Sequence, residues 1–302
     1  MPTTEPTRCG FVALLGAPNV GKSTLVNALV GQKVSIVTQK VQTTRIRVRG
    51  IAVESASQLV LVDTPGIFRA PKTRLERAMV AAAWEGAADA DATVLLVDAA
   101  RGVDANTRTI LDELARRDTR AILALNKVDA VKRETLLTLA AELDATGRFD
   151  ATFMISALTG DGVGDLKAHL AAAMPTGPWL YPEDEITDLP SRLLAAEITR
   201  EKAFLRLHQE LPYALNVMTD TLKRQRDGAM RVEQTLTVAR DSQKPIVLGR
   251  GGQTIKTIRE QAQADMAALF DRPVHLFIHV RVREKWAEDA AHYRELGLKY
   301  DV

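Results

Sequence analysis

The 302-residue sequence contains one cysteine, 5% aromatic residues and almost no net charge, 40 Lys plus Arg standing against 38 Asp plus Glu. A lone Cys9 can form neither an internal disulfide nor a cysteine-rich metal cage. That excludes a disulfide scaffold and makes a reducing compartment the expectation. No stretch approaches the roughly 18 apolar residues that a membrane-spanning helix needs. Met1 to Gly10 is polar, and the apolar run behind it, Phe11 to Leu15, is too short for the core of a secretion signal. A cytoplasmic protein is expected. Near-neutrality excludes attachment to a polyanion by bulk charge, so any nucleic-acid contact has to be local.

The length suits two domains of ordinary size. From Gly10 to about Thr176, short apolar runs (Phe11 to Leu15, Leu59 to Val62, Thr93 to Val97, Ala121 to Leu125, Thr152 to Ile155) are mostly separated by helix-like stretches. Continuous apolar strands joined by helices predict an α/β fold: a mostly parallel sheet with helices on both faces. Arg45 to Val53 alternates better and is expected at an edge. Ligands in such folds sit at the carboxyl ends of the strands. Met174 to Pro190 holds four of the 12 prolines among Glu183, Asp184, Glu185 and Asp188, which reads as a semi-rigid, solvated linker. Beyond it lies an α+β pattern. The expected division is 1–176, linker 177–190, and 191–302. Residues 191–302 carry 19 basic and 15 acidic side chains (+4), against 21 and 23 (−2) before them, a slight asymmetry.

Gly16-Ala17-Pro18-Asn19-Val20-Gly21-Lys22-Ser23, followed by Thr24, links the first apolar run to a helix-like one. Glycines at this spacing let backbone N–H groups and a helix N-terminus surround phosphates, with Lys22 at the β and γ phosphates and Ser23 on Mg²⁺. Chance produces such a match in only about 1% of chains this long. Asp63-Thr64-Pro65-Gly66 ends the second run; Asp63 would hold Mg²⁺ through water and the Gly66 N–H would bond a γ-phosphate. At Asn126-Lys127-Val128-Asp129, the Asp129 carboxylate can accept from N1–H and N2–H₂ of guanine. Adenine has no donor there and would leave a desolvated charge unpaired, so guanine is preferred. Asn126 would tie this loop to the phosphate loop, and Lys127 would lay its stem along the base. Ser156-Ala157-Leu158 would offer the Ala157 N–H to guanine O6.

These motifs, in this order, resemble those of the translation-factor-type GTPases. The resemblance implies GTP and GDP as ligands, and a mobile element over residues 32–45 in which Thr43 or Thr44 completes the Mg²⁺ coordination, Thr44 being favoured. Lys22, Thr44, Asp63 and Gly66 are the expected catalytic residues. Where many regulatory GTPases orient the attacking water with Gln, this chain has Ile67, which can neither donate nor accept; slow intrinsic hydrolysis is expected. Asn19 resembles the Asn with which potassium-activated relatives bind K⁺; a plain turn residue is the competing reading.

In the second half, Gly249-Arg250-Gly251-Gly252 sits between an apolar run, Ile246 to Leu248, and a helix in which Ile255 and Ile258 face one way. With a strand expected before it, this resembles the GxxG loop of a type II KH domain, where glycine admits the backbone of single-stranded RNA. Lys244, Leu248, Gly249, Arg250, Gly251, Gly252, Lys256 and Arg259 are the expected RNA-binding residues. Lys223, Arg224, Arg226 and Arg231 form a charge run expected to be a solvated hairpin end. The five histidines have no metal spacing; His275 and His279 share one face of an expected strand and are read as structural.

Together with Gln42-Thr43-Thr44-Arg45, Leu211-Pro212-Tyr213 and the stretch Trp286 to Leu298, these motifs resemble the Era family of bacterial ribosome-assembly GTPases over nearly the whole chain. The resemblance implies a monomer whose GTP-bound form binds the 3′ end of 16S rRNA and assists maturation of the 30S subunit. The alternative is a GTPase whose KH-like domain serves protein contacts or membrane-associated cell-cycle signalling, with peripheral contact at the inner membrane; Gly249 with Gly252 argues against the first. The C-terminus offers no lipidation signal for the second.

Overall fold

The computed structural model describes residues 6–38, 40, 43–45, 48–208, 211–284 and 286–301. Gln42, Ile46 and Arg47, and with them parts of the expected mobile element and edge strand, lie outside the described residues, as does the side chain of His292. The chain divides into two compact units, residues 1–35, 44–188 and 296–302 in one and 36–43 with 189–295 in the other.

The first unit runs β1 (Arg8–Gly16), α1 (Lys22–Val30), β2 (Val48–Glu54), β3 (Ser57–Asp63), α2 (Arg74–Ala88), β4 (Ala92–Asp98), α3 (Ala105–Arg116), β5 (Ala121–Asn126), α4 (Arg133–Asp144), β6 (Phe149–Ile155) and α5 (Val163–Ala173). The six strands are ordered β2-β3-β1-β4-β5-β6, parallel except for β2, the antiparallel edge strand. Strand residues alternate between two cores. Val12, Leu14, Val94 and Leu96 pack with Leu25 and Leu29 of α1 and with Leu166 and Leu170 of α5. Leu15, Leu95, Val97, Leu123 and Leu125 pack with Ile110, Leu114, Leu136 and Leu139 on α3 and α4. The period of two sends successive apolar side chains to opposite faces, so an uninterrupted apolar run needs helices on both.

The expected linker is not solvated along its length. Met174 is fully buried and Ile186 packs against the same core. Gln58, on β3, accepts from the N–H groups of Leu180 and Tyr181 and donates to the Tyr181 carbonyl, while Trp179 Nε1 donates to the Ala56 carbonyl at 3.1 Å. Arg49 closes the segment on Asp188 at 2.7 Å. Proline content stiffened this stretch locally without revealing that its backbone has partners. The last residues also belong to the first unit, not to a 191–302 domain: Lys299 pairs with Glu85 of α2 at 2.8 Å, and the Arg74 guanidinium lies 4.2 Å above the Tyr300 ring.

The second unit comprises α6 (Ser191–Arg206), β7 (Leu215–Arg224), β8 (Met230–Val238), α7 (Gln243–Leu248), α8 (Gln253–Phe270), β9 (Val274–Val282) and α9 (Ala290–Glu295). The sheet order is β7-β8-β9, with β8 and β9 parallel. Leu194, Ile198, Ala262 and Met266 of α6 and α8 cover Val232 and Leu276 on one sheet face. The apolar run before the Gly-rich loop is the helix α7, not a strand. Six residues are too few to separate the two periods, and Pro245 is tolerated in a helix's first turn.

Candidate functional site

At the carboxyl ends of β1, β3, β5 and β6 the four motifs come together in the first unit. Gly21 opens α1 at φ 101°, and a Cβ there would lie 2.3 Å from Asn126 Nδ2, so only glycine fits. Helices α2 and α3 are capped by Thr73 and Asp104. By contrast α1 has neither a side-chain cap nor an acid in its first turn, leaving its N–H groups directed at an incoming anion. Lys22 is buried, its Nζ 3.0 Å from the carbonyls of both Gly16 and Ala17. Burial holds its ammonium below the ordinary lysine value, at about 8, with the Asp63 carboxylate pulling the other way. A phosphate brought here meets a cation with little water to compete.

Ser23, Thr44 and Asp63 converge beside it. Ser23 Oγ is 2.9 Å from Thr44 Oγ1, which donates to Asp63 Oδ2 at 3.2 Å. Asp63 is fully buried, and burial raises its carboxyl above the usual range, Ser23, Lys22 and Thr44 opposing. Its Oδ1 has no hydrogen-bond partner among the described residues. Three hard oxygen donors with one orphaned buried acceptor fit Mg²⁺, which takes one or two carboxylates and completes its shell with phosphate and water. Among the described residues no group of three His, Cys, Asp or Glu assembles that could hold a metal ion.

Thr43 does not join this cluster. Its hydroxyl is 2.6 Å from the Lys40 carbonyl and from Thr38 Oγ1, within the second unit, where α6 supplies Glu201 to the Val37 N–H at 2.9 Å and Arg200 to the Thr43 carbonyl. Of the two threonines, it is Thr44 whose hydroxyl lies beside Ser23 and Asp63. The division between units falls between these neighbours.

Thr64 Oγ1 donates to the Leu14 carbonyl at 2.5 Å, and the Ile67 N–H donates to Gly16 at 3.1 Å, which stitches residues 63–67 to the phosphate loop. The Ile67 side chain is 1% exposed, inside the core with Leu15 and Leu95. It fills a packing position as well as lacking a polar group.

Asn126 joins three loops: Nδ2 donates to the Val20 carbonyl at 2.7 Å and Oδ1 accepts from the Ala157 N–H at 2.9 Å. The tie to the phosphate loop is as expected. The Ala157 N–H, expected at guanine O6, is instead engaged with Asn126. Lys127, left-handed at φ 68°, sends Nζ to the Asn19 carbonyl at 2.9 Å and to Asp98 Oδ2 at 2.6 Å. Asp98 belongs to no motif in the sequence, although it ends the run Thr93 to Val97, where strand-end chemistry is expected. Asp129 lies exposed in the turn Val128–Ala130, and Leu158 is 81% exposed. Asn19 is also left-handed, at φ 65°.

In the second unit, Gly249 (φ 74°) ends α7, and a Cβ there would fall 2.2 Å from Thr254 Oγ1. Gly251 and Gly252 are left-handed as well, and α8 begins, like α1, with no side-chain cap and no acid in its first turn. Lys244 and Arg250 are exposed; Lys256 and Arg259 have half-open side chains within 3.9 and 3.7 Å of Glu260. Leu248 is half-buried. The half-buried Ile255, Ile278, Val280 and Val282, packed on the core beneath, add an apolar strip on α8 and β9. The strand β9 is where the sequence placed one, at Val274–Val282; its apolar strip was not among the expected RNA-binding residues.

The two halves define a P-loop GTPase unit joined to a KH unit. The family described as a 50S ribosome-binding GTPase matches residues 11–127, and the KH domain family matches 210–287. The chain is 54% identical to the GTPase Era of Caulobacter vibrioides over 314 residues, covering 99% of each, and 58% identical to that of a Bradyrhizobium strain over 294 residues, covering 97% and 95%. A crystal structure of Era with MgGDPNP and nucleotides 1506–1542 of 16S ribosomal RNA superposes with a TM-score of 0.91 at 34% identity, over 96% of this chain and 99% of that one. Aquifex aeolicus Era bound to GDP·AlF4⁻ gives the same values. The chain belongs to the Era family of GTPases.

Proposed function

We propose that the chain is a GTP-driven switch that binds the single-stranded 3′ end of 16S rRNA through its second unit and assists assembly of the 30S subunit. The observation that carries this is the presence, in one chain, of two glycine loops that each open an uncapped, acid-free helix. One lies beside a base-reading carboxylate and the other lies beside exposed cations. The relative solved with 16S nucleotides 1506–1542 supports the choice of RNA.

In hydrolysis Lys22 stabilises charge on the transferred phosphoryl group, and its own desolvation strengthens that interaction. Ser23, Thr44 and Asp63 would hold Mg²⁺, which would neutralise phosphate charge. Gly66 presents its N–H to the γ-phosphate, and Asp129 selects guanine. With Ile67 in the core, no side chain at that position orients water, so unassisted turnover is slow. By resemblance to potassium-activated relatives, Asn19 would hold K⁺ beside the phosphates. Turnover measured in K⁺ and in Na⁺ buffers should favour K⁺; equal rates would dispose of the monovalent site.

The function itself is tested by ultraviolet crosslinking of the full chain to 30S-precursor RNA in GTP-analogue and GDP states. Crosslinks from residues 244–259 to the 16S 3′ end, stronger with the analogue, are expected. Crosslinks elsewhere on the rRNA, or none, would remove the target.

A further inference from the structure

In the second unit α6 and α8 cover one side of the sheet; the other side is buried at Asn216 and Thr237 but exposed along β9, and it gathers the residues left over from the sequence. In the parallel register of β8 and β9, Arg231 stands beside His275, Glu233 beside Phe277, Thr235 beside His279 and Thr237 beside Arg281. Strand β7 adds Lys223 beside Arg231 and Met218 beside Thr235. Residues paired across neighbouring strands share a face. The burial of β9 agrees: Val274 and Leu276 are buried, whereas His275, Phe277, His279 and Arg281 are exposed. Phe277 is 42% exposed, with the Arg231 guanidinium 4.6 Å above its ring. The carboxylates on this face are engaged, Glu233 with Arg231 at 2.6 Å and Asp220 with Thr235 Oγ1 at 2.7 Å. Lys223, Arg281 and two imidazoles therefore share this face with a partly exposed aromatic ring.

We propose that this open sheet face is a second single-stranded RNA contact, on which an unpaired base stacks on Phe277 while the flanking phosphates run past Lys223 and Arg281. A scattered surface Phe needs no explanation, but this one sits midway along the edge strand β9, shares its sheet face with Lys223 and Arg281, and has a guanidinium over its ring. That is the combination by which sheets hold unstacked bases. Arg281 stands four residues along β9, roughly 13 Å away, within reach of the sugar-phosphate backbone of a stacked nucleotide and its neighbours. One Phe and Met218 offer little apolar area for insertion into a bilayer, and the cations suit a polyanion. The proposal rests on the second unit being an RNA module, whose glycine loop clamps only about four nucleotides. Longer single strands have further bases to place.

The test measures binding by the full chain of two oligonucleotides from the 16S 3′ end, one of about five nucleotides, matching the loop, and one of roughly 15. Phe277→Ala should weaken the longer RNA about tenfold and leave the shorter unchanged, and Phe277→Trp should restore the longer. Arg281→Glu should act like Phe277→Ala. Phe277 is exposed, so thermal stability should not move. Unchanged affinity for the longer RNA, an equal loss for both, or loss of binding to phosphatidylglycerol vesicles with RNA binding intact would each overturn the proposal. If the unaltered chain binds neither RNA, the reading of the whole second unit falls first, and is recognised by that result.

Discussion

Asp129→Asn should lower affinity for GTP by roughly 30- to 1,000-fold and raise affinity for xanthosine triphosphate above it. The carboxylate accepts two hydrogen bonds from the N1 and N2 edge of guanine, and bonds to a charged group contribute about 1.5–3 kcal/mol each. An amide keeps one acceptor but turns an N–H₂ toward the guanine amino group, donor against donor; every 1.4 kcal/mol so lost is tenfold in affinity. Xanthine carries oxygen where guanine carries N2, so the same amide becomes complementary. Asp129 is exposed in a three-residue turn and Asn126 holds the loops together, so folding should be unaffected. Titration with both nucleotides, alongside Asp129→Ala, checks it. The alanine variant should lose GTP without gaining the xanthine nucleotide, and an unchanged guanine preference would overturn the assignment of base recognition to this residue.

The phosphate loop was legible because two demands select the same residues. Gly21 is required both by its left-handed backbone and by the approach of Asn126, and the lysine and serine behind it are required by phosphate and metal chemistry. Local and functional constraints also agreed at the strand ends, where a parallel sheet concentrates its ligands. Choices made by tertiary packing were not legible. Thr43 and Thr44 are chemically alike and adjacent; only the contacts of the second unit, which take Thr43, separate them. Ile67 could be read as the absence of a water-orienting group, but its burial among Leu15 and Leu95 depends on how the turn after β3 meets β1. Composition described the stretch 174–190 as a linker because proline and acid content report local stiffness and solubility. Gln58, which holds that stretch, lies more than 100 residues earlier.

The same limit applied to the second sheet. His275 and His279 were rightly placed on one face, yet whether that face was buried depended on which side α6 and α8 chose, and periodicity in one strand cannot supply that. The register of β8 and β9 brings the charge-run residue Arg231 to Phe277, so two features read separately as structural and as a solvated hairpin end become one surface.

Gly252→Asp should reduce single-stranded RNA affinity by on the order of 100-fold, about 2.7 kcal/mol, while leaving GTP hydrolysis in the absence of RNA near normal. Gly252 is left-handed at φ 77°, and a Cβ there meets nothing within 4 Å. The conformation costs a non-glycine residue about 1–2 kcal/mol, less for Asp than for most. Against that cost, an Asp carboxylate directly before α8 interacts favourably with the helix dipole, a gain of about 0.3–1 kcal/mol. The two contributions partly cancel, so thermal stability should change little. RNA binding has no such offset, because the carboxylate stands at the helix N-terminus that a phosphate would approach and repels it. Gly252→Asn separates charge from shape: it accepts the same backbone without the charge, so it should retain more affinity than Asp, and the difference should shrink as salt rises. Gly249 is a poorer probe, since any side chain there strikes Thr254 at 2.2 Å and disturbs the loop itself. RNA affinity retained by Gly252→Asp would remove this loop from RNA binding, and equal losses for Asp and Asn would assign its role to close backbone approach instead of to the open helix N-terminus.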